Sequence, residues 1–176
     1  MLRRNRQMLL KSLLIVASLA ATTSACANDF RAMNFGDLCL GIADFERPAG
    51  STGVAQDGNF LQLFNGTFEG DPVEIYYYCP KGRFSRGVYM WRVWSIPEVE
   101  ALAGRLRASL ISTYGQPDFE VAKADPLLNS QLKFEAVEKL SASWNSDATR
   151  ISLNVSGRFA KGYWTVSIGY GDRRQP

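Results

Sequence analysis

Residues 95–117 read SIPEVEALAGRLRASLISTYGQP, and this stretch organises the rest of the chain. Ser95 and Glu98 form an S-x-x-E capping box, in which each side chain satisfies a backbone N–H that the first turn leaves free. Pro97 falls in that first turn, where its missing N–H costs nothing. Val99, Leu102, Ala103, Leu106, Leu110 and Tyr114 then recur at helical spacing and make one apolar stripe. Glu98, Arg105, Ser109 and Ser112 fall on the other side. Gly115 can end the helix with a positive φ, and Pro117 stops it restarting. The pattern predicts one long capped helix over about 96–114, with an apolar face that needs a sheet to pack on.

The flanking segments supply strands. Before the helix, Val73 to Cys79 and Phe84 to Trp94 are rich in β-branched and aromatic residues and are joined by Pro80-Lys81-Gly82-Arg83. In the second of these, Tyr89, Trp91 and Val93 share one face, and Val88, Met90, Arg92 and Trp94 share the other. Both faces are largely apolar, and one helix covers only one of them. After the helix, Leu140 to Trp144, Ile151 to Val155 and Tyr163 to Tyr170 alternate apolar with small polar residues, as a three-stranded meander with one polar face does. The fold class that follows is α+β: an antiparallel sheet with a β-hairpin region, the long helix, and a C-terminal meander.

Nearer the N-terminus the signals are shorter. Leu38 to Ile42 reads as a strand, Pro48 to Gly53 as a loop, Asp57-Gly58 as a turn and Phe60 to Phe64 as a second strand. Asn65-Gly66 is a strong two-residue hairpin signal and places a turn there. Residues 118–139 carry no clear period, although Asp125-Pro126 can cap a short helix running to about Val137.

The first 27 residues have the three parts of an export signal: basic Arg3, Arg4, Arg6 and Lys11, a short apolar run from Ser12 to Ala21, and small residues at Ala25 and Ala27. That run is about half the length a membrane span requires. Two endings are open. Cleavage after Ala27 releases a soluble domain from Asn28 onward. Alternatively, Thr23-Ser24-Ala25-Cys26 serves as a lipobox and Cys26 is acylated, the one route by which this chain meets a membrane. Either ending leaves Cys39 and Cys79 as a possible disulfide pair. Four of the 20 basic residues lie in the leader, so the remainder carries 16 Lys+Arg against 17 Asp+Glu. A net charge near −1 gives no support for nucleic-acid binding.

Catalytic chemistry has few places to reside. The chain has no histidine, which removes Ser-His and Cys-His catalysis and the commonest zinc sites together. It has no G-x-S-x-G, phosphate-binding loop or dinucleotide fingerprint, and no cofactor or metal motif. Carboxylate-only chemistry needs two acids brought together by the fold. Glu69, Asp71 and Glu74 are the candidates, but Gly70 and Pro72 between them read as an exposed turn, and Asp44 and Glu46 read the same way. The remaining signal is aromatic. Tyr76, Tyr78, Tyr89, Trp91, Arg92 and Trp94, with Phe84, Arg83 and Arg86 nearby, concentrate the residue types that dominate protein–protein hot spots. Aromatics of this kind beside a helix also serve simply as core.

From about residue 72 to 171 the order of elements resembles that of small exported and lipoprotein-type bacterial proteins. The carriers are a strand-rich segment, a capped helix ending Tyr114-Gly115-Gln116-Pro117, a hairpin containing Trp144 and a last strand ending in an aromatic residue. The resemblance implies location and architecture, and transfers no catalytic residue. The functional expectation is a non-enzymatic envelope protein that binds a protein partner, as an inhibitor, immunity factor or assembly accessory does. The alternative is a carboxylate-dependent enzyme or a small-ligand or glycan binder of the envelope.

Overall fold

A computed structural model describes residues 29–57, 61–122, 137–158 and 162–174. The expected export signal, Cys26 and the short helix proposed near Asp125 lie outside these residues. Among the described residues the architecture is one antiparallel sheet of eight strands with two helices, mostly sheet and in outline α+β. The strands are β1 (Thr52–Asp57), β2 (Leu61–Phe68), β3 (Asp71–Tyr78), β4 (Arg86–Val93), β5 (Phe119–Ala122), β6 (Val137–Asn145), β7 (Thr149–Arg158) and β8 (Tyr163–Asp172). Their order across the sheet is β1-β2-β3-β4-β8-β7-β6-β5. Two runs of four sequential strands are therefore joined edge to edge by the pairing of β4 with β8, from Arg86↔Gly171 to Val93↔Trp164.

Helix α2 (Ile96–Tyr114) makes that join possible. It starts beside the central strand β4 and delivers the chain to β5, four strand spacings away, or about 19 Å. Nineteen residues at 1.5 Å each span about 28 Å, enough to cross half the sheet obliquely. The Ser95 hydroxyl accepts the Glu98 N–H at 3.4 Å. At the other end Gly115 has φ +82°, a conformation that side chains disfavour, and its carbonyl accepts the Trp144 indole N–H at 2.9 Å. Val99, Ala103, Leu106 and Leu110 are buried against Ala142, Trp144, Ile151, Leu153, Val155, Val166 and Ile168 of β6–β8. The three C-terminal strands expected from the sequence are thus part of a larger sheet.

The other half of the same face is covered by the N-terminal segment, and here the local reading is corrected. Cys39–Gly41 is a 3₁₀ turn that continues into α1 (Ile42–Glu46), where a strand was expected over 38–42. The apolar positions Cys39, Ile42 and Phe45 recur at a helical interval, and five residues are too few for periodicity alone to decide. Phe30 sits among Tyr77, Phe84, Tyr89 and Tyr170 with ring centroids 4.9–6.0 Å apart. The backbone at Gly87 admits it: a Cβ there would come within 2.2 Å of the Phe30 ring. The Cys39–Cys79 disulfide ties this segment to the end of β3 across 40 residues.

Asn65-Gly66 is also not a turn. Both residues lie inside β2, paired with Glu74 and Val73, and the chain reverses at Glu69-Gly70, both with positive φ. Gly66 is needed for close approach, since a Cβ would meet Ile75 Cδ1 and Ser51 Oγ at 2.6 Å each. Packing across the sheet outweighs the local turn preference of the dipeptide.

Candidate functional site on the outer face of the sheet

Strand alternation sorts the six aromatic and arginine candidates into two groups. Tyr89 and Trp91 point inward with Val93, at 7% and 6% exposure, and belong to the core beneath α2 and the N-terminal segment. Tyr76, Tyr78, Arg92 and Trp94 fall on the opposite face, which neither described helix covers. Residues two apart on one strand share a face, so the 76/78 and 92/94 spacings meet there through the registers Tyr76↔Val88 and Tyr78↔Arg86.

On this face the side chains form a continuous row. Tyr76 and Tyr78 stack with centroids 6.5 Å apart. The Arg86 guanidinium lies 5.8 Å from the Tyr78 ring centre, and Arg92 lies 5.8 Å from that of Tyr163. Trp94, 68% exposed, meets Tyr163 edge to face at 5.5 Å. Beyond this row the face becomes small and polar: Ser167 and Gly169 on β8, Ser152 and Asn154 on β7, Ser141 and Ser143 on β6. Arg86 already stood among the arginines near the aromatic cluster in the sequence, whereas Tyr163 joins the candidate set only through the sheet register. Tyr163 is 69 residues from Trp94 in the chain, and no local signal links them.

Glu74 also lies on this face but is engaged on both sides. It pairs with Arg92 at 2.9 Å and accepts the Tyr76 hydroxyl at 2.7 Å. Partial burial, then the hydrogen bond to Glu74, push the Tyr76 phenol up to about 12, so it is a neutral donor at physiological pH. The other carboxylates point elsewhere. Asp71 is on the inner side, bound to Arg105 of α2 at 2.6 Å, and Glu69 accepts the Ser109 hydroxyl at 2.8 Å. Glu69, Asp71 and Glu74 thus do not converge on one site. Among the described residues no group of three or more His, Cys, Asp or Glu side chains is placed to hold a metal ion.

Glu46 is corrected from an exposed turn to a fully buried residue. Both its oxygens receive the Arg31 guanidinium, at 2.5 and 3.0 Å, and the Tyr77 hydroxyl donates to it as well. Burial, reinforced by the bond to Glu46, raises the Tyr77 pKa far above that of a free phenol. Burial alone would lower the pKa of Arg31, but its contacts with Tyr89 and Glu46 outweigh that and raise it. Both Glu46 oxygens are engaged within this triad, which lies between the sheet and the N-terminal segment with only the Arg31 side chain partly exposed. Its role is to fasten Asp29–Glu46 to β3. The sequence signal for it is faint: one acid at the end of a five-residue apolar helix.

No protein-family model, curated protein or solved structure matches this chain. The functional reading therefore rests on geometry and composition alone.

Proposed function

We propose that the protein is an exported envelope protein that acts by binding another protein through the outer face of its sheet, without catalysis of its own. The supporting observation is the gathering of Tyr76, Tyr78, Arg92 and Trp94 with Arg86 and Tyr163 on one sheet face. Tyr, Trp and Arg are the side chains that most often carry interface energy: Tyr and Trp bury much area for little lost freedom, and Arg adds a planar fork of hydrogen-bond donors. Among the described side chains this face is cationic: Glu74 is paired with Arg92 and Asp172 with Arg174, which leaves Arg86 and Arg150 in excess, so the partner surface that complements it is acidic. The disulfide is the form cysteines take in an oxidising compartment, which agrees with export.

The test is a mild-crosslinking capture from the protein's own cell envelope, comparing the native chain with Tyr78→Ala and Trp94→Ala. The reading expects one stoichiometric partner, depleted by either substitution while circular dichroism and thermal midpoint stay unchanged. Trp91→Ala serves as the contrast, since it should destabilise the fold through its buried position. A protein recovered without a partner, or a partner retained by both outer-face variants, would refute the proposal.

A further inference from the structure

On the outer face, β4, β8 and β7 place Arg86, Gly171 and Arg150 side by side in register. The two arginines are two strand spacings apart, about 10 Å between Cα atoms, with only a glycine between them. A Cβ at Gly171 would meet nothing within 4 Å, so the space above it is open. At Gly169, one step along β8, a Cβ would come to 3.3 Å from the Arg86 guanidinium and 2.9 Å from Ser152 Oγ. Arg86 therefore leans over the glycine floor towards β7. The resulting depression has a volume of about 370 Å³ and is lined by Ser85, Arg86, Arg150, Ser152, Gly169 and Asp172, with Gly171 as its floor.

Its charge is unbalanced. Among the described residues neither Arg86 nor Arg150 has a carboxylate at salt-bridge distance. Asp172 lines the depression, but its carboxylate is held by the Arg174 guanidinium at 2.8 and 3.2 Å and by the Arg174 backbone N–H at 2.9 Å. Two guanidiniums facing one glycine floor repel each other unless an anion lies between them, and each offers a planar fork suited to an oxyanion. The Ser152 hydroxyl adds a donor from the floor. We propose that this depression is a binding subsite for a carboxylate group, the chemistry that an acidic segment of a docked protein supplies. It adjoins Tyr78 through Arg86, so the subsite continues the aromatic row. The identity of the carrier rests on the docking-face reading; the anion site itself does not.

The full chain is titrated at constant ionic strength with the capped peptide acetyl-Glu-Glu-Glu-amide and, separately, with inorganic phosphate, following backbone and arginine Nε–H resonances by NMR. The expected result is saturable shifts at Gly169, Gly171, Arg86 and Arg150 with the peptide. Binding should weaken about tenfold in R86Q or R150Q, as loss of one charge-assisted pair implies, and saturation should vanish in the double variant. Both arginines are exposed, so an unchanged thermal midpoint verifies that these variants fold. Non-saturating shifts, or equal shifts in the double variant, would overturn the subsite. Saturation by phosphate without saturation by the peptide would overturn its assignment to carboxylates. Partner capture separates the two readings: a double variant that loses peptide binding yet retains its partner in full removes the subsite from the interface and leaves the docking face standing.

Discussion

Replacing Glu46 by Gln tests whether the N-terminal segment is held by a buried charge. Gln keeps the size of the side chain and still accepts the Tyr77 hydroxyl, so the change is nearly confined to removing the negative charge that faces Arg31. Glu46 has no exposed surface and the Arg31 side chain is 17% exposed, which leaves Arg31 little water to replace its partner. Breaking a buried pair from one side costs about 3–5 kcal/mol, and the partial exposure of Arg31 places this case near 3. For a chain of this length each kcal/mol lowers the thermal midpoint by about 2–4 °C, so a fall of about 6–12 °C is expected. The double variant Arg31→Met with Glu46→Gln removes both charges while leaving an acceptor for the buried Tyr77 hydroxyl, and should regain most of the loss, because no buried charge is left unpaired. Urea denaturation of the native, single and double variants measures all three. A loss below about 1 kcal/mol for E46Q, or a double variant worse than the single, would show that the pair is solvated and that Asp29–Glu46 is not clamped to β3 as described.

Opening the Cys39–Cys79 bridge by Cys→Ala at both positions frees a loop of 40 residues and should cost up to about 4 kcal/mol on the chain-entropy relation, read as a lower urea midpoint with a steeper slope as the opened denatured chain exposes more surface. Gly87→Ala drives a Cβ into the Phe30 ring and should destabilise by about 1–3 kcal/mol; combined with Phe30→Ala, the two losses should sum to less than their separate values. Tyr76, Tyr77, Tyr89 and Tyr170 all have raised pKa values, chiefly from burial. Their phenols ionise more easily in the unfolded chain, near pH 10, than in the folded one. Stability should therefore be full below about pH 10 and fall as pH rises from there through about 12, where Tyr76 titrates. Tyrosinate absorbance at 295 nm should rise together with loss of circular dichroism, and a complete titration near pH 10 with the fold intact would contradict the burial of these residues.

Much of the local structure was legible because its signals are self-contained. The cap at Ser95, whose hydroxyl accepts the Glu98 N–H, the apolar stripe from Val99 to Leu110 and the positive φ of Gly115 require only neighbouring residues to act. Period-two alternation separated Tyr89 and Trp91 from Arg92 and Trp94 in the same way. Where local chemistry was misleading, a distant contact outweighed it: Gly66 is a glycine for the sake of Ser51 and Ile75, and Glu46 is buried because Arg31 and Tyr77 close over it.

Composition and pattern by themselves determined that both faces of the aromatic strands are apolar, that histidine chemistry is absent, and that one helix packs on an antiparallel sheet. Pattern cannot say which face the helix takes, because a strand's two sides are equivalent until something binds one of them. That choice was made by tertiary structure, through the crossing of α2 from β4 to β5 and the seating of Phe30 on Gly87. With the inner face filled by those contacts, Tyr76, Tyr78, Arg92 and Trp94 were left on the other side. The β4–β8 pairing then brought Arg86 and Arg150, 64 residues apart, to either side of Gly171. Such a pairing spans the whole C-terminal half of the chain, and no local preference encodes it.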